Sequence, residues 1–130
     1  MIVDASALLA IVLSEPERDR FLEIADSAGN LTMSVINFVE AGIKVDRDAD
    51  PRRAATFDKI VAELGIGIAP VTVEQGRVAR HAHKAFGRGS GHPARLNLGD
   101  CFAYALARTR REPLLFKGND FARTDIEATV

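Results

Sequence analysis

The sequence lacks the features on which several classes of protein depend. It contains one cysteine, Cys101, which excludes an internal disulfide bond and any metal site built from several cysteines. Its longest uninterrupted apolar run, residues 7–13, is far shorter than the roughly 20 residues that span a bilayer. No basic segment precedes that run, as one would in a secretory signal, because Asp4 comes almost first. These absences predict a cytoplasmic protein that does not enter a membrane.

Glycine and proline are also scarce, with 10 and 5 residues among 130, which is too few for a disordered or fibrous chain. Hydrophobic residues make up 47% of the sequence and charged residues 27%. These are the proportions of a globular protein that buries an apolar core. The length suits one domain, which we expect to span residues 1–130.

The net charge of −1 hides an uneven distribution along the chain. Residues 1–75 contain 7 basic and 13 acidic side chains, whereas residues 76–117 contain 9 basic and 2 acidic ones. Such a basic segment can be a solvated helix face, and it can equally hold the phosphate backbone of a nucleic acid. The charge alone leaves both interpretations open.

Apolar periodicity and capping residues predict strands that alternate with helices. The expected strands are residues 1–4, 31–33, 66–71 and 114–116. The expected helices are residues 5–13, 16–28, 35–47, 51–64, 72–86 and 98–111, and the tail, 120–130, is expected to add a turn and an edge strand. Strands that alternate with helices in this way indicate a parallel sheet in an α/β fold.

Asp4 directly follows the first predicted strand. In an open α/β sheet, ligands bind outside the carboxyl ends of the strands, so this carboxylate stands where a site is expected. A structural explanation is available as well, because aspartate is a favoured N-cap for the helix that follows. Ser6, two residues later, competes for the capping role.

Three further acids occupy comparable positions, each with an ordinary structural explanation. Glu40 lies on the apolar stripe of the third helix. If that helix is slightly rotated about its axis, Glu40 lies at the boundary of the stripe and its carboxylate is in solvent. Asp100 lies three residues after Asn97 in the first turn of the sixth helix, where it would complete a capping box. Asp120 follows the last strand in a turn, with Asn119 as a second oxygen donor beside it.

Short connections would bring these four acids towards one edge of the sheet. Carboxylates without a cluster of cysteine or histidine are hard oxygen ligands, which suit Mg²⁺ or Mn²⁺ better than zinc. Such a site supports phosphoryl-transfer chemistry, and the basic segment beside it would hold a polyanion. The residue types are therefore compatible with a metal-dependent nuclease but do not by themselves establish one.

Four segments resemble the PIN-domain ribonucleases of the VapC toxin type. The opening MIVDASALLAIVLSEPE is similar to the first strand and helix of that family, in which an aspartate, a small residue and a serine begin the site. SVINFVEA contains the helix glutamate, NLGDCFAYALA the third acid, and LLFKGNDF the C-terminal motif. The segments occur in the family's order over nearly the whole chain. The last motif departs from that of many relatives, because Phe116 stands where they have a threonine.

The resemblance implies a three-layer α/β/α fold with a central parallel sheet of four to five short strands. It implies the toxin of a type II toxin–antitoxin pair, an endoribonuclease that cleaves cellular RNA, tRNA or rRNA, with Mg²⁺ or with Mn²⁺ in its place. The acidic cluster would consist of Asp4, Glu40, Asp100 and Asp120, with Asp4 and Asp100 as the direct metal ligands. Asn119 is the alternative to Asp120.

The resemblance also implies partners and supporting residues. Ser6 is expected either to support Asp4 or to contact a metal-bound water. A homodimer and a small VapB-type antitoxin are the expected protein assemblies. The basic segment is expected to contact RNA phosphates through five side chains, Arg77, Arg80, Lys84, Arg88 and Arg95. The expected antitoxin surface is an apolar groove near the second to fourth helices, formed by Phe21, Ile24, Phe38, Val39 and Phe57.

Two other functions are left open. A PIN-fold module that binds RNA or protein without catalysis would keep the fold, but it would not need to retain Asp4, Glu40 and Asp100. A response-regulator-like domain would also bind Mg²⁺ through an acidic cluster, but its acceptor aspartate would follow a central strand. Asp48 and Asp50 follow no apolar strand.

Overall fold

The computed structural model describes residues 1–126, which contain four β-strands, six α-helices and one 3-10 helix. The strands are β1 (Ile2–Val3), β2 (Thr32–Ser34), β3 (Gly67–Ala69) and β4 (Leu114–Leu115). The helices are α1 (Ala5–Val12), α2 (Arg18–Ala28), α3 (Val35–Asp46), α4 (Arg52–Glu63), α5 (Val73–Phe86) and α6 (Leu98–Arg110), and the 3-10 helix covers Phe121–Arg123. The predicted strands and helices before residue 117 are all present, and their ends differ from the prediction by no more than two residues.

The four strands form one parallel sheet in the order β3-β2-β1-β4. β1 lies inside the sheet, where Ile2 pairs with Thr32 of β2 on one side and with Leu114 of β4 on the other. The chain runs outward from β1 through β2 to β3, and then returns to place β4 on the opposite side of β1. The progression of strands thus reverses between β1 and β4, and such a reversal is where open α/β sheets bind their ligands.

Successive side chains of the strands point alternately into two apolar cores, one on each face of the sheet. Val3 and Leu115 belong to the core that α1 to α4 cover. Ile2 and Leu114 belong to the core that α5 and α6 cover. This arrangement confirms the predicted three-layer α/β/α fold, and the described residues contain four strands, the lower of the two numbers expected.

Polar side chains determine where the later helices begin. Ser34 caps α3 by accepting a hydrogen bond from the Ile36 amide at 3.3 Å, as the sequence predicts. Thr72 caps α5 in the same way, through the Gln75 amide at 3.1 Å. Residues 72–75 have the T-x-x-Q pattern of a capping box, but only half of the box forms, because Gln75 Oε1 is buried without a hydrogen-bond partner.

The predicted edge strand in the tail is not observed. Residues 120–126 contain the 3-10 helix and no strand, and the rest of the predicted tail, residues 127–130, lies outside the described residues. Within residues 1–126, no helix is long and apolar enough to cross a membrane.

The expected antitoxin groove near α2 to α4 is wrong in its main members. Phe21 and Phe57 are only 2% and 3% exposed, because these large side chains fill the core under α1. Phe38 packs against Phe57, with ring centroids 5.6 Å apart, and Ile24 is partly buried against the same core. Val39, at 50% exposed, is the member of the set that presents substantial apolar surface.

Candidate active site

Asp4 occupies the carboxyl end of β1 and serves as the N-cap of α1. Its carboxylate oxygen Oδ2 accepts hydrogen bonds from the amide of Ser6 at 3.0 Å and from the hydroxyl of Ser6 at 2.5 Å. The side chain is buried, yet its second oxygen, Oδ1, has no hydrogen-bond partner. A buried carboxylate oxygen without a partner is costly, so capping alone does not explain this residue.

Ser6 joins the ends of the two strands that border the strand-order reversal. Its hydroxyl donates to Asp4 and also accepts a hydrogen bond from the Lys117 amide at 3.0 Å, across 111 residues of sequence. The Lys117 ammonium in turn lies 2.7 Å from Glu15 and 3.4 Å from Glu17. These contacts hold the segment after β4 against the start of α1. The Ser6 hydroxyl thus links Asp4 to the backbone that follows β4.

Glu40 projects from α3 towards the first turn of α6. Its carboxylate lies so close to Gly99 that a Cβ atom at position 99 would overlap it. Asn37, one turn earlier on α3, is fully buried and donates to the Gly99 carbonyl at 2.9 Å and to Glu40 Oε1 at 3.4 Å. Asn37 therefore fixes α3 to α6 and holds the Glu40 carboxylate at their junction.

Asp100 stands in the first turn of α6 and completes the predicted capping box. The Asp100 amide donates to Asn97 Oδ1 at 2.8 Å, and Asp100 Oδ2 accepts from the Asn97 amide at 2.9 Å. One carboxylate oxygen thus maintains the helix start, while the half-buried side chain still contributes its charge to the site.

The acids influence one another electrostatically, which places them in one cluster. Burial raises the pKa of Asp4 from 3.8 to about 6, and the charge of Glu40 adds to the rise, although the Ser6 hydrogen bonds oppose it. Burial also raises the pKa of Asp100 to about 6, with contributions from the charges of Asp4 and Asp120. The pKa of Glu40 is raised by burial and by the charge of Asp100, against the hydrogen bond from Asn37. A cation at this cluster would relieve the repulsion.

Asp120 and Asn119 lie at the solvent-exposed edge of this cluster, between β4 and the 3-10 helix. Asp120 stands at the start of the 3-10 helix, where its side chain forms no capping hydrogen bond. Its charge reaches Asp100, as the raised pKa of Asp100 shows. Asn119, the predicted alternative for this position, is neutral and exposed in the same turn.

The five side chains that are predicted to contact RNA are all exposed. Arg88 interacts electrostatically with the cluster, since its charge lowers the pKa of Asp100. Arg80 and Lys84 lie one turn apart on α5 and line a common cavity. Arg77, also on α5, and Arg95, in the loop before α6, are exposed as well.

The donor set fits a hard divalent cation. Asp4 Oδ1 is a buried oxygen that lacks a partner, and the neighbouring Asp100 and Glu40 supply further carboxylate oxygens, the ligands that Mg²⁺ and Mn²⁺ prefer. Within residues 1–126, no three His, Cys, Asp or Glu side chains form a ready-made ligand set for one ion. Cys101 beside Asp100 is buried and free, as expected for a small apolar residue.

Asn37, Gly99 and Lys117 contribute to this geometry and are not predicted from the sequence. Asn37 lies three residues before Glu40 on the same helix face, and this spacing is the one local signal that could have identified it. Gly99 and Lys117 act through backbone groups and through partners far away in the sequence, for which no local pattern exists.

Comparison with known proteins identifies the family of this chain. The PIN-domain family model matches residues 1–127. Ribonuclease VapC28 of Mycobacterium tuberculosis is 45% identical over 130 residues, which cover 100% of this chain and 98% of that protein. A solved structure of VapBC2 from Rickettsia felis, bound to a promoter DNA fragment, matches 98% of this chain and 94% of its own with a TM-score of 0.77 at 11% identity.

The Mycobacterium tuberculosis toxin VapC20, described as cleaving the sarcin-ricin loop, has the same fold with a TM-score of 0.74 at 15% identity, covering 96% of this chain and 95% of its own. The two structural similarities support the fold, and the family match and the 45% identity over the full length establish the family. This chain therefore belongs to the PIN-domain family and, within it, to the VapC ribonucleases, the RNA-hydrolysing toxins of toxin–antitoxin systems.

Proposed function

We propose that this protein is a Mg²⁺-dependent endoribonuclease, with Mn²⁺ able to replace Mg²⁺, and that it acts in the cytoplasm on cellular RNA, tRNA or rRNA. The observation that supports this proposal best is the unpartnered Oδ1 of Asp4, buried among carboxylates whose pKa values are raised by burial and mutual repulsion. A cation at this site would stabilise its charged form by neutralising the repulsion between the carboxylates.

Asp4 and Asp100 would hold the ion, and Asp120 would complete the negative charge around it. When bound, Mg²⁺ supplies positive charge that stabilises the charge developing on the phosphate group. Glu40 is exposed to solvent, and its pKa is raised, so we assign it the role of accepting a proton from the attacking water. Asn37 keeps the Glu40 carboxylate directed towards α6 while this happens.

The decisive experiment is RNA cleavage with and without added Mg²⁺, on the wild type and on Asp4→Asn and Asp100→Asn. We expect cleavage by the wild type with Mg²⁺, and loss of both cleavage and Mn²⁺ binding by calorimetry in the two variants. Asp26→Asn, at an exposed aspartate on α2, is the matched control and should behave as the wild type. Unchanged Mn²⁺ affinity in both site variants would contradict the ligand assignment, and RNA binding without any cleavage would favour the non-catalytic module.

The basic side chains are proposed to position the RNA backbone without selecting its sequence. Replacing Arg88 and Arg95 together by alanine should weaken RNA binding and reduce its dependence on salt concentration, because fewer counterions are then released. Arg20 and Arg47, exposed arginines in the acidic half of the chain, provide the control pair. A salt dependence equal to that of the wild type would show that Arg88 and Arg95 are only solvated.

We further propose that a VapB-type antitoxin inhibits this protein and that the active form is a homodimer. An antitoxin arginine could pair with Asp4, Glu40 or Asp100 in place of the metal, since a guanidinium is a strong partner for clustered carboxylates. Added Mg²⁺ should then weaken inhibition measurably. Co-expression with the neighbouring antitoxin gene should relieve growth arrest, and sedimentation at increasing concentration should reveal the dimer. Growth arrest that the antitoxin does not relieve would refute the toxin–antitoxin assignment.

A further inference from the structure

A cavity of about 590 Å³ lies between α5 and α6, outside the acidic cluster. Its apolar surface comes from the first turns of α6, where Leu98 is 71% exposed and where Cys101 and Phe102 lie beside it. The volume is within the range of about 300–1,000 Å³ that pockets for small organic ligands occupy.

The rim of this cavity carries positive charge. Arg80, His83 and Lys84 line it from α5, and none of the described residues that line it is acidic. A ligand that complements this cavity has an apolar, planar group that packs on the α6 side chains and a negative charge that pairs with the basic side chains of α5. A nucleotide combines a base and a phosphate in this way, and unpaired bases commonly bind on apolar side chains next to cationic ones.

The cavity adjoins the candidate active site along α6. Leu98 belongs to the cavity, while the next two residues belong to the site: Gly99 contacts Glu40, and Asp100 is a proposed metal ligand. The cavity and the acidic cluster therefore share the first turn of α6.

Gly76 keeps this cavity open. It lies in α5, where glycine destabilises a helix relative to alanine, and it lines the cavity. No positive φ requires glycine at this position, and a Cβ atom added there would meet nothing within 4 Å. The space above Gly76 is therefore available, and any larger side chain at this position would enter the cavity.

We propose that the cavity between α5 and α6 binds one unpaired nucleobase of the RNA substrate, next to the phosphate that is cleaved. The phosphate of that nucleotide is held by the basic rim. The inference rests on the proposed ribonuclease function and makes it more specific, because it assigns the base of the bound nucleotide to the residues that line the cavity between α5 and α6.

The test measures binding of a synthetic single-stranded RNA of about ten nucleotides to the full chain by fluorescence anisotropy, in buffer without divalent metal. Gly76→Leu, which places a side chain inside the cavity, should lower the affinity about ten-fold or more, because a stacked base contributes that much to single-strand binding. Its melting temperature should stay equal to that of the wild type or rise, which excludes misfolding as the cause.

Gly42→Leu is the matched control. Gly42 also lies within a helix, α3, and an added Cβ atom there would meet nothing within 4 Å, but it does not line the cavity. This variant should bind the single strand as the wild type does. A duplex of the same sequence should bind at least ten-fold more weakly than the single strand and should be insensitive to Gly76→Leu.

Unchanged single-strand affinity in Gly76→Leu would overturn the inference. A changed sedimentation coefficient with unchanged RNA affinity would also overturn it, because the cavity would then bind a second copy of the chain. Loss of antitoxin inhibition alone would assign the cavity to the antitoxin and equally refute a nucleobase site. The proposed ribonuclease function is refuted separately, if the wild type does not cleave RNA with Mg²⁺. The nucleobase site is refuted if the wild type cleaves RNA and Gly76→Leu cleaves it with an unchanged KM.

Discussion

Replacing Asp4 by asparagine should stabilise the metal-free protein while it abolishes activity. Asp4 is 3% exposed, and its pKa is raised from 3.8 to about 6, mainly by burial. Since one pKa unit corresponds to about 1.4 kcal/mol, keeping this carboxylate ionised in the folded state costs about 3 kcal/mol. Asparagine avoids this cost, and its carbonyl oxygen can still accept the hydrogen bonds of Ser6 that cap α1.

The stability that Asp4→Asn gains over the wild type should increase with pH. The folded state binds the Asp4 proton more tightly than the unfolded state, so the wild type loses stability as pH rises from about 4 through about 6. The asparagine variant does not share this loss. Its advantage in the free energy of unfolding should be about 3 kcal/mol near pH 7.5 and should shrink to about 1 kcal/mol near pH 4.5.

Urea unfolding of both proteins in the presence of a chelator, at several pH values, measures this difference. Asp26→Asn on α2 is the control and should change the free energy of unfolding by no more than about 0.5 kcal/mol, as exposed substitutions usually do. Added Mn²⁺ should stabilise the wild type and leave the Asp4 variant unchanged, because binding to the folded state alone raises its stability. An asparagine variant that is less stable than the wild type near pH 7.5 would refute the reasoning.

Three further substitutions test the geometry around the acids. Gly99→Ala should displace the Glu40 carboxylate into solvent and lower kcat by about 100-fold with little change in melting temperature, since small misplacements at a site have effects of that size. Asn37→Ala should lower the free energy of unfolding by about 1–3 kcal/mol in urea, because it leaves the buried Gly99 carbonyl without its donor. Ser6→Ala removes a hydroxyl donor that lowers the pKa of Asp4, so the acid limb of the pH–rate profile should move to higher pH.

The layer architecture and the order of the elements could be predicted because local patterns specify them. The apolar run after Asp4 marks α1, and the caps Ser34 and Asn97 mark the starts of α3 and α6 within one residue. These signals come from neighbouring residues and do not depend on how the chain packs. The predicted strand 114–116 ends one residue earlier in the structure.

The inner geometry of the site could not be predicted, because contacts between distant residues create it. Asn37 resembles an ordinary polar residue of an amphipathic helix, and only the docking of α6 buries it. Gly99 matters because the Glu40 carboxylate occupies the space of its missing side chain. Phe21 and Phe57 indicate an apolar surface in the sequence but fill the core in the fold, since a small domain needs its large side chains inside.

The position of β1 between β2 and β4 also determines when this enzyme can become active during its own synthesis. β1, β2 and β3 leave the ribosome in order and can pair as they emerge, because chains fold from the N-terminal side while they are made. β4 follows α6, and until it docks against β1, Ser6 has no Lys117 amide to bind and Asp120 is absent from the cluster. A growing chain thus carries most of the fold but lacks the contact between Ser6 and Lys117, so the site reaches the geometry described above only when the last strand is in place.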